Sequence, residues 1–283
     1  MHKRLKLFFI SISILILIVS CNFNNNSNST SESQLQADIP EENYTDVDYI
    51  ADLGLMRGHL IAAKELLDGG SPGQAQYHLA HPLEELYTQI EPTLEKQGIN
   101  TDKFRKSLEQ LYAQAKFKPY SQEIKNTPWE SVKNIQSGID EFFEKNPQSR
   151  EFVEKVFLSI LETSAEEYEA GIGRNCKIVA PIEYQDSYGF VKYVKEELSR
   201  ASWVPDATRD KFQPILEQLL VAWSPGKPFQ GDINNNNPDC SIALSSKGNE
   251  SSVYPPEYPV MTGQEVLDLV KIISTNQIGR AHV

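Results

Sequence analysis

The chain has 283 residues, 40% of them hydrophobic and 23% charged, with a formal net charge of −12 at pH 7. An acidic surface argues against nucleic acid as a partner and against electrostatic docking on anionic lipid, both of which need basic patches. It is compatible with cations as ligands, and the three cysteines, Cys21, Cys176 and Cys240, are too few for a disulfide-built scaffold.

Residues 1–20 join a basic start, His2-Lys3-Arg4-Leu5-Lys6, to an apolar run over 7–19. That is the charge pattern and length of a secretory signal peptide. The run is short for a spanning helix, which needs about 20 apolar residues. The tetrapeptide that follows, Ile18-Val19-Ser20-Cys21, resembles the lipobox of bacterial lipoproteins. The resemblance implies a diacylglyceryl group on the Cys21 thiol (palmitate and related chains), cleavage before Cys21, which becomes the new N-terminus, and a lipid-anchored chain on the outer side of the cell membrane or at the outer membrane. Several acyl chains hold firmly where one holds marginally, each buried methylene contributing about 0.8 kcal/mol. Residues 21–42, rich in Asn and Ser, bury too little to offset chain entropy and read as a disordered tether.

From 43 to 277 the pattern is helical and long enough for one large or two small domains. The stripe Tyr49, Leu53, Met56, Leu60, Ala63, Leu67 predicts a helix over 46–68, stopped by Gly69-Gly70. Ser71-Pro72 pairs an N-cap with a first-turn proline and opens a second helix to about 97. Further helices are expected over 101–117, from near 127, over 149–170, 181–201 and 206–223, and over 262–274. The expectation is an all-α bundle of about eight helices with one long irregular loop, 226–259. That loop contains Cys240; with Cys176 it can form one disulfide, or the two can stay free thiols. Residues 278–283, Ile-Gly-Arg-Ala-His-Val, match one reading frame of a common sequencing-adapter oligonucleotide and are set aside as a non-native tail.

Metal-ligand spacing is the main chemical signal. His78, His81 and Glu85 fall within about 60° of one another on one helical face, opposite the stripe Leu79, Leu83, Leu86, Ile90, Leu94. Imidazole and carboxylate at i, i+3 and i+7 can share a transition-metal ion. Pro82 kinks this helix, because it offers no N–H to the carbonyl of His78. His59, on the apolar side of the first helix, approaches His78 or His81 if the short turn makes the two helices antiparallel neighbours. The bland alternatives are a hydrogen-bonded core histidine and a solvated polar face. Glu84, Glu183 and Asp186 are weaker ligand candidates, the latter two equally explicable as first-turn acids favoured by the helix dipole. The acidic run Glu162, Glu166, Glu167, Glu169 reads as a solvated face. No G-x-S-x-G, H-E-x-x-H or phosphate-cradling loop is present, so an enzyme is not expected.

Two further resemblances attach to these residues. Tyr168-Glu-Ala-Gly-Ile172, Lys177-Ile-Val and Glu183-Tyr184 resemble the helical extracytoplasmic region of some bacterial oxidase-dependent iron permeases, which implies an accessory role in iron transport. Gly58-His59 with Glu65 is similar to the Gly-x-His-x-x-Glu marker of imelysin-like exported helical proteins, although the spacing differs. Together these readings predict an extracytoplasmic lipoprotein. Its helical domain is expected to bind an iron or copper ion through His59, His78, His81 and Glu85 for uptake or handover to a membrane transporter. The alternative is a structural lipoprotein that scaffolds an envelope complex without metal.

Overall fold

The computed structural model describes residues 44–118, 124, 129–173, 177–223, 252–254 and 261–275. Cys21, Cys176, Cys240, the tether and the 278–283 tail lie outside the described residues, as does all of the 226–259 loop except 252–254.

Helix α1 (Asp46–Asp68) starts at a capping box, in which Thr45 and Asp48 satisfy each other's backbone N–H groups. It carries more than the single apolar stripe its periodicity suggests: 15 of its residues are buried. A helix apolar on nearly all sides belongs in the centre of a bundle, and α1 is packed by the helices that follow it. The chain turns back at Gly69-Gly70, where Gly70 adopts φ +82, a left-handed conformation that costs glycine little.

The second rod is three segments in one run: α2 (Pro72–His81), a π-helical turn (Pro82–Leu86) and α3 (Tyr87–Lys96). The wide turn is the physical answer to Pro82, whose ring and missing N–H oppose an ordinary i→i−4 bond to His78. α4 (Thr101–Phe117) begins at Asn100, whose side chain accepts from the N–H of Lys103. α5 (Glu130–Lys145), α6 (Arg150–Gly171), α7 (Pro181–Arg200), α8 (Asp206–Leu219, finished by a 3-10 turn Leu220–Trp223) and α9 (Gly263–Ser274) complete it. Among the described residues there is no strand, only an isolated bridge between Ile172 and Ile178 at the α6–α7 turn. The architecture is an all-α bundle, as the periodicity predicts.

α7 lies against both α1 and α6, and two aromatic groups lock its ends. Phe143, Phe152, Phe157 and Trp203 gather near its C-terminal end, with Phe143 and Trp203 stacked at 3.9 Å. Tyr168, Tyr184, Tyr188 and Trp223 gather near its start. The Trp223 indole donates to the Tyr184 carbonyl and to Ser187 Oγ, both at 3.1 Å. Ser164 of α6 donates to the Ser187 carbonyl at 2.8 Å. These bonds hold rigid the turn of α7 that bears Asp186.

Candidate metal centre

Where α1, α2 and α7 meet, three imidazoles converge on one carboxylate. His59 Nδ1 lies 2.5 Å and His78 Nδ1 2.6 Å from Asp186 Oδ1, and His81 Nδ1 lies 3.1 Å from Asp186 Oδ2. Asp186 and His78 are sealed from solvent, His59 nearly so, and only His81 retains an edge toward it. Phe190 caps the His59 ring edge-on at 4.9 Å.

The approach depends on two glycines. A methyl group on Gly189 would sit 2.2 Å from the Gly58 carbonyl oxygen, and one on Gly58 would sit 2.5 Å from the Phe190 ring. Only bare backbone lets α1 and α7 cross this closely, and the crossing lies one residue from His59 and three from Asp186. The short Gly69-Gly70 turn then brings α2 antiparallel to α1, so that His78 and His81 arrive from the third side.

The electrostatics follow from the packing. Burial alone would raise the carboxyl of Asp186, but the three imidazoles, His59 first, outweigh it and hold Asp186 well below the usual carboxylate range. Burial also opposes a charged His81, yet Asp186, with Glu85 and Glu183 behind it, pushes this ring up to about 9. Glu167 is pushed up to about 8 by burial, by the charges of Asp186 and Glu183, and by a hydrogen bond to Glu183.

The structure brings together three of the sequence-predicted ligands, His59, His78 and His81, and promotes Asp186 from a weak candidate to the hub. Glu85 is displaced from that set. It is mostly exposed, 3.8 Å from His81 Nε2 on the far side from Asp186, so it stands at the rim. Glu84 is exposed on the π turn. Glu183 is half-buried against Glu167 instead of contributing to the cluster. The solvated polar face that was the bland alternative for His78 is a buried interface with α7, and Leu83 and Leu86 are only half-buried where the π turn shifts their register. Glu65, which the imelysin-like spacing singled out, accepts from the Tyr188 hydroxyl at 2.9 Å.

Two contributors escaped sequence reasoning. Glu167 belongs to the register of Ile160, Ser164 and Gly171, all buried on α6, a signal masked by its exposed acidic neighbours. Gln185 is fully buried and accepts from His78 Nε2 at 2.9 Å, while its own amide donates to Gln74 at 3.0 Å. Its neighbour Asp186 and the i, i+4 pair Gln74 and His78 were the available hints.

The donor set suits a transition-metal ion. One ligand atom from each of His59, His78, His81 and Asp186 lies within 4.8 Å of the other three. A tetrahedral ion with N and O ligands would space them by about 3.4 Å, so the 2.5 and 2.6 Å contacts to Asp186 would open by about 0.9 Å and the widest separations would close by up to about 1.4 Å. His81 Nδ1 is buried and makes no hydrogen bond, its approach to Asp186 being outside hydrogen-bonding geometry. Three imidazoles with one carboxylate, and no thiolate, suit iron, copper(II) or zinc better than calcium or copper(I).

Residues 143–225 are similar to the iron permease-associated 4-helix bundle domain family. The match takes in α6, α7 and α8, and with them Glu167, Glu183 and Asp186, whereas the three histidines lie ahead of it. No curated protein and no solved structure matches the chain. Part of this helical bundle is thus similar to a domain associated with iron permeases, and the histidines come from the part without such a likeness. Among the described residues no helix is long and apolar enough to cross a membrane.

Proposed function

We propose that this protein is a lipid-anchored, extracytoplasmic metal-binding protein that takes up a transition-metal ion at His59, His78, His81 and Asp186 and passes it to a membrane transporter. The convergence of three imidazoles on one buried carboxylate carries the reading. Such a cluster is costly to bury unless its charges are matched, and a cation does that directly. Similarity to a permease-associated domain favours iron over copper as cargo, and Glu85 and Glu183 provide negative charge beside His81, its least buried ligand. The proposed role is binding and handover without turnover. Cys21, through its lipobox, supplies the anchor.

The alternative, a structural lipoprotein in an envelope complex, draws support from the short His–Asp contacts, which satisfy much of the cluster without metal. Metal titration separates the two. The mature chain carrying Cys21→Ser, which should leave the membrane fraction, is titrated with Fe(II) under anaerobic conditions and with Cu(II), beside Asp186→Asn and His78→Ala/His81→Ala. The expected outcome is one ion per chain, with each variant weaker by more than the roughly 10–100-fold that losing an outer partner costs. Equal binding by wild type and variants, or none tighter than about millimolar (~4 kcal/mol), sinks the metal reading.

A further inference from the structure

His78 is engaged by side-chain oxygens at both ring nitrogens: Asp186 Oδ1 at Nδ1, 2.6 Å away, and Gln185 Oε1 at Nε2, 2.9 Å away. The Gln185 amide is oriented by its other end, since Gln185 Nε2 donates to Gln74 Oε1 at 3.0 Å. What faces His78 is therefore an amide carbonyl, which can only accept. The proton on Nε2 is thereby specified. A neutral imidazole has a single N–H, so its Nδ1 is left as a bare lone pair directed at a carboxylate oxygen. Two lone pairs at that distance repel unless a cation stands between them, a proton in the imidazolium or a metal ion in its place.

We infer that Gln185, anchored by Gln74, is a positioning residue that holds neutral His78 in its Nε2–H form and presents Nδ1 as a donor to a transition-metal ion shared with Asp186. This rests on the metal-binding reading above and adds to it which atom binds and which residue decides so. Metal-bound histidines in general give their second N–H to a carbonyl or carboxylate, which fixes the ring and raises its basicity. Here the acceptor is a buried glutamine on α7, one residue from the carboxylate itself. Ring and carboxylate are thus aligned from the same helical turn. His59 and His81 also direct Nδ1 at Asp186, so the centre is built on Nδ1 throughout.

The test has a metal-free arm and a metal arm, both on the mature chain carrying Cys21→Ser. In metal-free, 15N-labelled protein a long-range 1H–15N correlation should show a proton on His78 Nε2, and loading with Zn(II) should leave that proton in place while Nδ1 moves to the range of a metal-bound nitrogen. Gln185→Leu should move the proton toward Nδ1 and weaken Co(II) binding, followed by its visible bands, by about 10–100-fold. Gln185→Glu keeps an acceptor at the same place and should retain both the Nε2–H form and affinity within a few-fold. Gln74→Leu is a surface change that cannot compromise the core; it should shift both readouts in the direction of Gln185→Leu, but less. A wild-type ring with no proton on Nε2 overturns the inference, as does Gln185→Leu binding Co(II) as tightly as wild type. Absence of Co(II) binding by wild type would instead overturn the metal reading, and the metal-free tautomer would still decide the role of Gln185.

Discussion

Helix α7 buries two carboxylates, about three turns apart, and treats them in opposite ways. Asp186 is surrounded by His59, His78 and His81, and its carboxyl is held well below its ordinary range. Glu197 is equally sealed from solvent, but meets Arg200 on one oxygen only. Its other oxygen has no hydrogen-bond partner, nor does the buried hydroxyl of Tyr193, whose titration the Glu197 charge also raises. Burial therefore dominates and pushes Glu197 up to about 7. The two sites share a helix and a depth and differ in partners, which shows that burial by itself does not make a binding centre. At Asp186 three convergent imidazoles reverse the effect of burial on the carboxyl.

The sharpest way to break the Asp186 site without touching a ligand is Gly189→Val. Its side chain has no room against the Gly58 carbonyl, so α1 and α7 must separate. Overpacking of this kind costs about 3 kcal/mol or more, read as a lower midpoint in chemical denaturation, and Fe(II) affinity should fall with it. Unchanged stability would mean that the close crossing does not hold His59 on Asp186.

The pH dependence of stability distinguishes the two sites by sign. His81 titrates near 9 in the folded chain against 6.5 when free. Its contribution is therefore full below about 6.5 and lost as pH rises through about 9, with a ceiling of about 3 kcal/mol. Comparing wild type with His81→Gln at pH 6 and pH 10 in metal-free protein should show that loss; parallel profiles would refute it.

Glu197 gives the smallest effect. Its folded value near 7, above an ordinary 4.5, means that ionisation costs stability, nothing below about pH 4.5 and fully above about 7. Glu197→Gln should thus stabilise the protein at pH 8 by about 1–2 kcal/mol and be neutral at pH 4. A loss at pH 8 would show that the Arg200 pair outweighs burial.

Most of the bundle was legible along the chain because helix boundaries are local events. The Thr45 and Thr262 capping boxes, the Ser149 cap, Pro72 and Pro181 at helix starts and the Gly69-Gly70 stop act within a few residues. Three of the four residues of the site were legible for the same reason. His78 and His81 share one helix, and the short turn to α1 made His59 their neighbour. Asp186 was ambiguous because a carboxylate early in a helix is commonplace and its partners lie more than a hundred residues away. Glu85, on the same face as the histidines by angle, ended at the rim because the π turn and the docking of α7 directed the imidazoles inward.

The sequence by itself therefore determined the helices, their order and a pair of histidines on one face, all set by near-neighbour sterics and periodicity. Only the tertiary structure decided that the three imidazoles converge on Asp186, that Glu85 is left outside, and that Gln185 meets Nε2 of His78. Those outcomes depend on how closely α1 and α7 cross at Gly58 and Gly189. That distance is a property of two packed surfaces, and no local pattern in either helix encodes it.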